Sequence, residues 1–353
     1  MKHTLKLTSA VLMLALCAGL FAACDGGSDA LMGGASSGSA ASGSTSAPAE
    51  PAHEPGLFVD DTKLEADPMM TVDGQDVSFD MYRYYYLSGK ARFDGGDETL
   101  WTSEDGDKAT QSLLDYTQQG ILSSFAVEAL AKEKKLSLTE DELKAVDDEI
   151  AALKKQFGSD ETFQQALAAQ YYTEEVYRAL YTSSKLMDKV LAGVYGDDIR
   201  KDIKDNYVHA QHILVKYTDA EAESHPDEMK KAEEILAKVK KGDNFDALME
   251  EYNEDTGEPA EGYYFTAGDM VQEFEDAAFK LKEGETSEIV PTSYGYHILL
   301  RLPMDEAYID ENLTGMLSQT MVAKITGDFD TKAKAFKVEY NDNYKKVAPN
   351  TMF

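Results

Sequence analysis

Two short apolar stretches, each carrying histidine, constrain the fold of this chain more than anything else in it. The first reads Val208-His209-Ala210-Gln211-His212-Ile213-Leu214-Val215, and the second Tyr294-Gly295-Tyr296-His297-Ile298-Leu299-Leu300-Arg301. The first becomes continuously apolar at Ile213-Leu214-Val215, as a strand covered on both faces does. Between them the spacing predicts an amphipathic helix over 227–241, with Met229, Ala232, Ile235, Leu236 and Val239 inward and Gly242 closing it. A short helix with Phe245, Leu248 and Tyr252 follows, and then one over 273–281 carrying Phe274, Ala277, Ala278 and Phe279. Ile289-Val290 adds a strand before the final one. The order β-α-α-β-α-β-β within residues 207–303 predicts a compact α+β module, a small sheet surrounded by helices.

Charge excludes one broad class of function. Of 353 residues, 65 are acidic and 34 basic, a net −31. Such a surface repels phosphate backbones and anionic bilayers, so nucleic acid is not an expected partner. The two cysteines, Cys17 and Cys24, are both in the first 24 residues, so neither a disulfide framework nor a zinc site can be built from them. No metal or cofactor is expected.

The N-terminus reads as an export label. Lys2 and Lys6 precede the apolar run Ala10 to Phe21, and Ala22-Ala23-Cys24 ends it. Residues 1–23 are a secretory signal, too short for a stable membrane span. The small residues before Cys24 resemble a bacterial lipobox, with Phe21 where leucine is usual. That resemblance implies a diacylglyceryl group on Cys24, holding the protein on the extracytoplasmic face of the cell membrane. The alternative is plain secretion after an Ala-x-Ala-like site. Residues 24–56 are Gly, Ser, Ala and Pro with almost no large apolar side chain. They are expected to be a disordered tether with a reach of about 30 Å.

Residues 57–206 read as a mainly helical arm. Met70-Thr71-Val72-Asp73-Gly74-Gln75-Asp76-Val77 predicts two strands around an Asp-Gly turn. Ser78 opens an aromatic helix from Phe79 with Tyr82, Tyr85 and Tyr86, and another helix covers 112–134. Thr139 and Glu142 make a capping box, after which Leu143, Val146, Ile150, Leu153 and Phe157 form one stripe. Gly158 ends that helix. Ser159 and Thr173 cap two more, the first with Phe163 and Leu167, the second with Val176, Leu180, Met187 and Leu191. These stripes can bury one another or leave a cradle for unfolded chains, and both readings stay open. The region resembles the N-terminal part of secreted foldase-chaperones of the PrsA and SurA type, whose strand-turn opening Thr71-Val72-Asp73-Gly74 looks like.

The module resembles the parvulin family of peptidyl-prolyl isomerases. His212-Ile213-Leu214-Val215-Lys216 is similar to that family's opening strand, and Gly295-Tyr296-His297-Ile298 to its closing one. Between them Met270, Phe274, Ala277, Ala278, Phe279, Leu281, Gly284, Ser287 and Val290 match its second half in order. The resemblance implies a proline pocket gripped by Met270 and Phe274. Its pocket-lining phenylalanine corresponds to Tyr264 or Phe265, with the spacing to Met270 favouring Phe265. His212 and His297 correspond to the family's paired histidines, and Asp255 to the acid or cysteine facing the amide. They form a catalytic network or a structural floor, and the two roles can coexist. Thr292 and Tyr294 are further candidates beside it. The implied partners are unfolded exported proteins with X-Pro bonds.

This chain departs from the family at two places. The glycine-rich loop is replaced by Pro259-Ala260-Glu261-Gly262-Tyr263-Tyr264-Phe265. The loop 218–227 is acidic and lacks the basic cluster that phosphate-directed parvulins use, arguing against phospho-Ser/Thr-Pro specificity. Two rival motifs fail on geometry. His209 and His212 are three apart on a strand, which points their rings to opposite faces. Asp255-Thr256-Gly257 spells the aspartic-protease triplet but follows Glu-Tyr-Asn-Glu, not an apolar strand.

Residues 304–353 are expected to form a helix and a strand that pack on the N-terminal region, making the module an insertion. The leading expectation is an isomerase assisting the folding of exported proteins. The alternative is a holdase chaperone with an inactive module.

Overall fold

The computed structural model describes residues 54–219 and 224–353. The signal sequence, Cys24, most of the tether and positions 220–223 of the acidic loop lie outside the described residues. The chain divides into two compact units. One comprises residues up to Val194 together with Val322–Phe353, and the other Tyr195–Met321.

The first unit begins with β1 (Leu57–Val59) and β2 (Thr62–Leu64), an antiparallel hairpin. Next come β3 (Met70–Val72) and β4 (Gln75–Val77), joined through Asp73 and Gly74 at φ 49° and 80°. Two successive residues in the left-handed region give the twist a two-residue hairpin requires. The third strand of this sheet comes from the far end of the chain, since β9 (Val338–Tyr340) pairs antiparallel with β3. Leu57 also bridges to Met352, and Gly56 exchanges both backbone hydrogen bonds with Phe353.

Helix α1 (Phe79–Asp94) is capped by Ser78, whose hydroxyl accepts from Met81 N–H, and α2 (Gly106–Glu133) packs beside it. Their core buries Tyr82, Tyr86, Leu113 and Ile121 against Met69, Met70, Val347 and Met352. The capping box forms at the start of α3 (Glu140–Gln156), with both reciprocal bonds between Thr139 and Glu142. Val146 and Ile150 from its stripe are buried with Phe163 and Leu167 of α4 (Asp160–Ala168). Tyr177 and Tyr181 of α5 (Glu174–Asn206) cover the same cluster. Phe157, at the end of the stripe, lies beside Phe163 and remains exposed.

In the second unit, β5 (Val208–Lys216), β6 (Tyr263–Phe265), β7 (Val290–Pro291) and β8 (Gly295–Leu302) form one antiparallel sheet in the order β6-β5-β8-β7. Helices α6 (Pro226–Lys241) and α7 (Phe245–Tyr252) cover one face through Ile235, Leu236 and Leu248, which pack on Ile213, Val215 and Ile298. Helix α8 (Gln272–Lys280) covers the other. Observed elements follow the β-α-α-β-α-β-β order read from the sequence. Two glycines allow the strands to approach. A Cβ on Gly295 would stand 2.2 Å from the Val215 carbonyl oxygen, and one on Gly262 2.8 Å from that of Ala210.

The boundaries of the second unit differ from expectation. Residues 304–321 belong to it, not to the N-terminal region, as do the last turns of α5. The physical reason lies in α9 (Glu306–Asn312). Its Asp310 accepts from Arg200 Nε at 2.7 Å, Glu306 pairs with Lys204 at 2.7 Å, Tyr308 stacks on Tyr264 at 3.9 Å, and Ile309 is fully buried. Only the later part of the tail, from Val322 within α10 (Gln319–Ala333) to the terminus, supplies residues to the first unit.

Candidate active site

Strand alternation decides which side chains meet. With the observed register, Val208, Ala210, His212 and Leu214 share a face with Tyr263 and Phe265 of β6 and with His297 and Leu299 of β8. This is the face under α8. Phe274, on the first turns of α8, stands edge-on to both imidazoles, 5.3 Å from His212 and 5.4 Å from His297. The imidazoles are 5.1 Å apart at 71°. Phe265 lies 5.7 Å from Phe274 and is buried, and Met270 packs on the same cluster while partly open to solvent. Met270 is placed by Glu275, whose Oε1 accepts the N–H groups of Gly268 and Met270 at 2.7 and 2.9 Å.

The polar groups form a ring around His212. Asp255 Oδ2 is 3.5 Å from His212 Nε2 and accepts from the Tyr263 hydroxyl at 3.0 Å, while Oδ1 accepts from Gly257 N–H at 2.9 Å. Thr292 Oγ1 is 2.9 Å from His297 Nε2. Neither nitrogen of His212 has a hydrogen-bond partner, nor does Nδ1 of His297.

Burial pushes the His212 pKa down to about 4, against the attraction of Asp255, and that of His297 down to about 3, with the charge of His212 adding to the effect. Both rings are therefore neutral near pH 7. Burial alone would raise Asp255, but the Gly257 N–H, the Tyr263 hydroxyl and the charge of Lys216 hold its carboxyl below the usual range. The site thus presents the ionised Asp255 carboxylate, two neutral imidazoles and an apolar wall of Phe265, Met270 and Phe274. It contains no activated nucleophile. Among the described residues no group of three His, Cys, Asp or Glu is placed to hold a metal.

Most residues expected at the site converge there: His212, Asp255, His297, Met270, Phe274, Phe265 and Thr292. Two do not. Tyr264 points to the opposite face, stacked at 3.9 Å on both His209 and Tyr308, because it alternates with Phe265 along β6. Tyr294 is 61% exposed, and only its backbone N–H engages Thr292. His209 turns away from His212, with its ring nitrogens 2.7 Å from the carbonyl oxygens of Pro303 and Glu261.

Three residues were missed in the sequence. Tyr263 holds Asp255. Asn253 Oδ1 accepts from the Leu214 and Asp255 N–H groups at 2.9 and 3.1 Å. Glu258 Oε1 accepts from His212 N–H at 3.0 Å, and its Oε2 lies 4.0 Å from His212 Nε2. Burial, with the charge of Asp255 adding, pushes the Glu258 carboxyl up to about 7 despite the hydrogen bonds it accepts. Nothing local points to their place beside β5, since the Leu214 and His212 N–H groups that Asn253 and Glu258 accept lie 39 and 46 residues away.

Residues 198–300 match the model of the PPIC-type PPIase domain. A foldase protein PrsA from Geobacillus sp. (strain WCH70) is 33% identical over 227 residues, covering 59% of this chain and 74% of that protein. The chain belongs to the PrsA foldase family. A PrsA from Staphylococcus epidermidis is 30% identical over 71% of this chain and 82% of its own length. One from Geobacillus kaustophilus reaches 38% identity, over 47% of this chain and 56% of that protein. The second unit thus carries a parvulin-type peptidyl-prolyl isomerase domain, with the histidine-bearing strands β5 and β8 inside the matched range.

Proposed function

We propose that this PrsA-family protein is an extracytoplasmic peptidyl-prolyl isomerase that assists the folding of exported proteins, tethered through a lipid on Cys24. The observation that carries the catalytic reading is the placement of Phe274 edge-on to two neutral imidazoles, beside a partly open Met270. An X–Pro bond crosses a barrier of about 18–20 kcal/mol because the planar amide gains from charge-separated resonance. That charge separation is lost when the bond twists. An apolar wall of Met270, Phe274 and Phe265 that holds the proline ring therefore favours the twisted amide over the planar one. Each ~1.4 kcal/mol of this preference is tenfold in rate.

The roles of the polar residues follow from their protonation. A neutral His212 carries no charge to solvate and keeps the floor dry. Asp255, the one carboxylate held ionised beside it, faces the reacting amide and disfavours the charge-separated planar form. His297 and Thr292 buttress His212 from behind. No covalent intermediate or cofactor enters.

Proline-peptide isomerisation by the mature chain, compared with a Met270→Ala, Phe274→Ala double variant, tests this reading. The variant should lose at least about tenfold in kcat/KM; equal rates would refute the pocket, and no wild-type acceleration would leave the holdase alternative. Membrane fractionation of a Cys24→Ala variant tests the tether, which predicts its release into the medium.

A further inference from the structure

Glu258 stands outside the set of residues that the family resemblance brings to the reaction, yet its side chain is only 3% exposed. Beyond Ala210, β5 loses β6 as a neighbour, so its next N–H groups on that edge need other acceptors. Side-chain oxygens of the loop after α7 supply them. Glu258 Oε1 takes His212 N–H at 3.0 Å, Asn253 Oδ1 takes Leu214 N–H at 2.9 Å, and Glu254 Oε2 takes Lys216 N–H at 2.7 Å. The Glu254 N–H answers to the Leu214 carbonyl at 3.0 Å. The loop thus completes the sheet edge with side chains in place of a strand.

The same loop carries Asp255. Asn253 donates from Nδ2 to Glu258 Oε2 at 2.6 Å while accepting the Asp255 N–H on Oδ1. One carboxyl group is therefore bonded to the main chain of His212 and, through Asn253, to the main chain of Asp255. His212 Nε2 then lies between two carboxyls, 3.5 Å from Asp255 Oδ2 and 4.0 Å from Glu258 Oε2, and hydrogen-bonds to neither.

We propose that Glu258 is a positioning residue for the isomerisation, fixing Asp255 relative to His212 through its two oxygens and setting, by its own protonation, the charge that the His212 ring faces. The groups around it are His212 from β5, Asn253 and Asp255 from the loop, and Tyr263 from β6, with His297 behind His212. Tyr263 donates to Asp255 and the Lys216 cation already acts on that carboxylate, whereas no cation acts on Glu258. Burial already holds the carboxyl up to about 7. Ionising it would set two negative charges beside one neutral ring and push Asp255 away from its place.

The test uses the full mature chain, measuring kcat/KM for a proline peptide from pH 5.5 to 8.5 alongside the imidazole nitrogen shifts of His212 by NMR. In the wild type kcat/KM should fall as the pH rises through about 7, and the His212 shifts should follow the same midpoint. Glu258→Gln should flatten both profiles and lower kcat/KM a few-fold at pH 6, because its amide nitrogen cannot accept the Asn253 N–H. Glu258→Ala should cost about tenfold. An inflection that survives in Glu258→Gln, or wild-type kcat/KM in Glu258→Ala, would overturn the assignment. Should Glu258→Ala fail to fold, Glu258→Gln decides alone. The kinetic arm rests on the isomerase reading. Absence of any wild-type isomerisation would sink that reading, whereas the His212 titration would still test Glu258.

Discussion

The rings of His212 and His297 meet edge to face at 5.1 Å, and burial keeps both neutral at physiological pH. Two adjacent imidazoles in an apolar site cannot readily take a proton, since the first charge would repel the second and neither would be hydrated. In the proposed pocket they therefore serve as a floor and not as proton carriers.

Acid stability follows with a definite sign. Each histidine has a folded-state pKa below its unfolded value of 6.5, so the unfolded chain binds the extra protons and stability falls as the pH drops from 6.5 towards about 4 for His212 and about 3 for His297. Glu258, raised from 4.5 to about 7, acts oppositely over pH 7 to 4.5, because the folded state holds its proton. It offsets about one of the two histidines at pH 5. Denaturant midpoints at pH 7 and 5 should fall by an amount worth roughly 1–2 kcal/mol in the wild type and about twice that in Glu258→Gln.

Phe274 is a core residue that would also be a wall of the proposed pocket. Its truncation to alanine should cost about 3–5 kcal/mol in stability, from lost burial plus the cavity left between Phe265 and the histidines. Phe274→Leu keeps most of the volume but not the flat edge facing the imidazoles. It should lose about 1 kcal/mol in thermal or urea unfolding and a larger share of kcat/KM than of stability.

Tyr264→Ala separates the two faces of β6. Removing a ring stacked between His209 and Tyr308 should lower the melting temperature. Isomerisation at 25 °C should stay within about twofold, which is roughly 0.4 kcal/mol. A tenfold loss would return Tyr264 to the pocket.

Gly295→Ala should be among the most damaging small substitutions. The added methyl would stand 2.2 Å from the Val215 carbonyl oxygen, a backbone atom that cannot move without breaking the β5–β8 ladder. A loss of about 2 kcal/mol or more in urea unfolding is expected.

Thr139→Ala removes the hydroxyl half of the capping box at the start of α3. About 1 kcal/mol should be lost if the first unit unfolds as one. No change in isomerisation rate should accompany it.

Much of the architecture was legible in the sequence because it depends on local periodicity. The stripe through Val146 and Ile150, the Ser78 and Thr139 caps, the Asp73-Gly74 turn and the strand–helix order of the module each rest on contacts within a few residues. His212 and His297 could be matched to one site through family resemblance, and the register of β5 against β8 then brings their rings to 5.1 Å. Tyr264 and Phe265 could not be told apart with certainty, since adjacent strand residues differ only in the face they take. The register of three residues of β6 against β5 decides it.

What the sequence determined by itself was the kind of module: two histidine strands, helices between them with Met270 just before the one that carries Phe274, and an acid before a turn. What only the tertiary structure decided was how that acid is held and where the module ends. Asn253 and Glu258 bond to main-chain N–H groups on an open strand edge, and α9 joins the second unit through Tyr308 and Asp310. Every residue carries a backbone N–H, so acceptors of this kind leave no mark on the residues they serve. Such contacts become visible only once the chain has closed on itself.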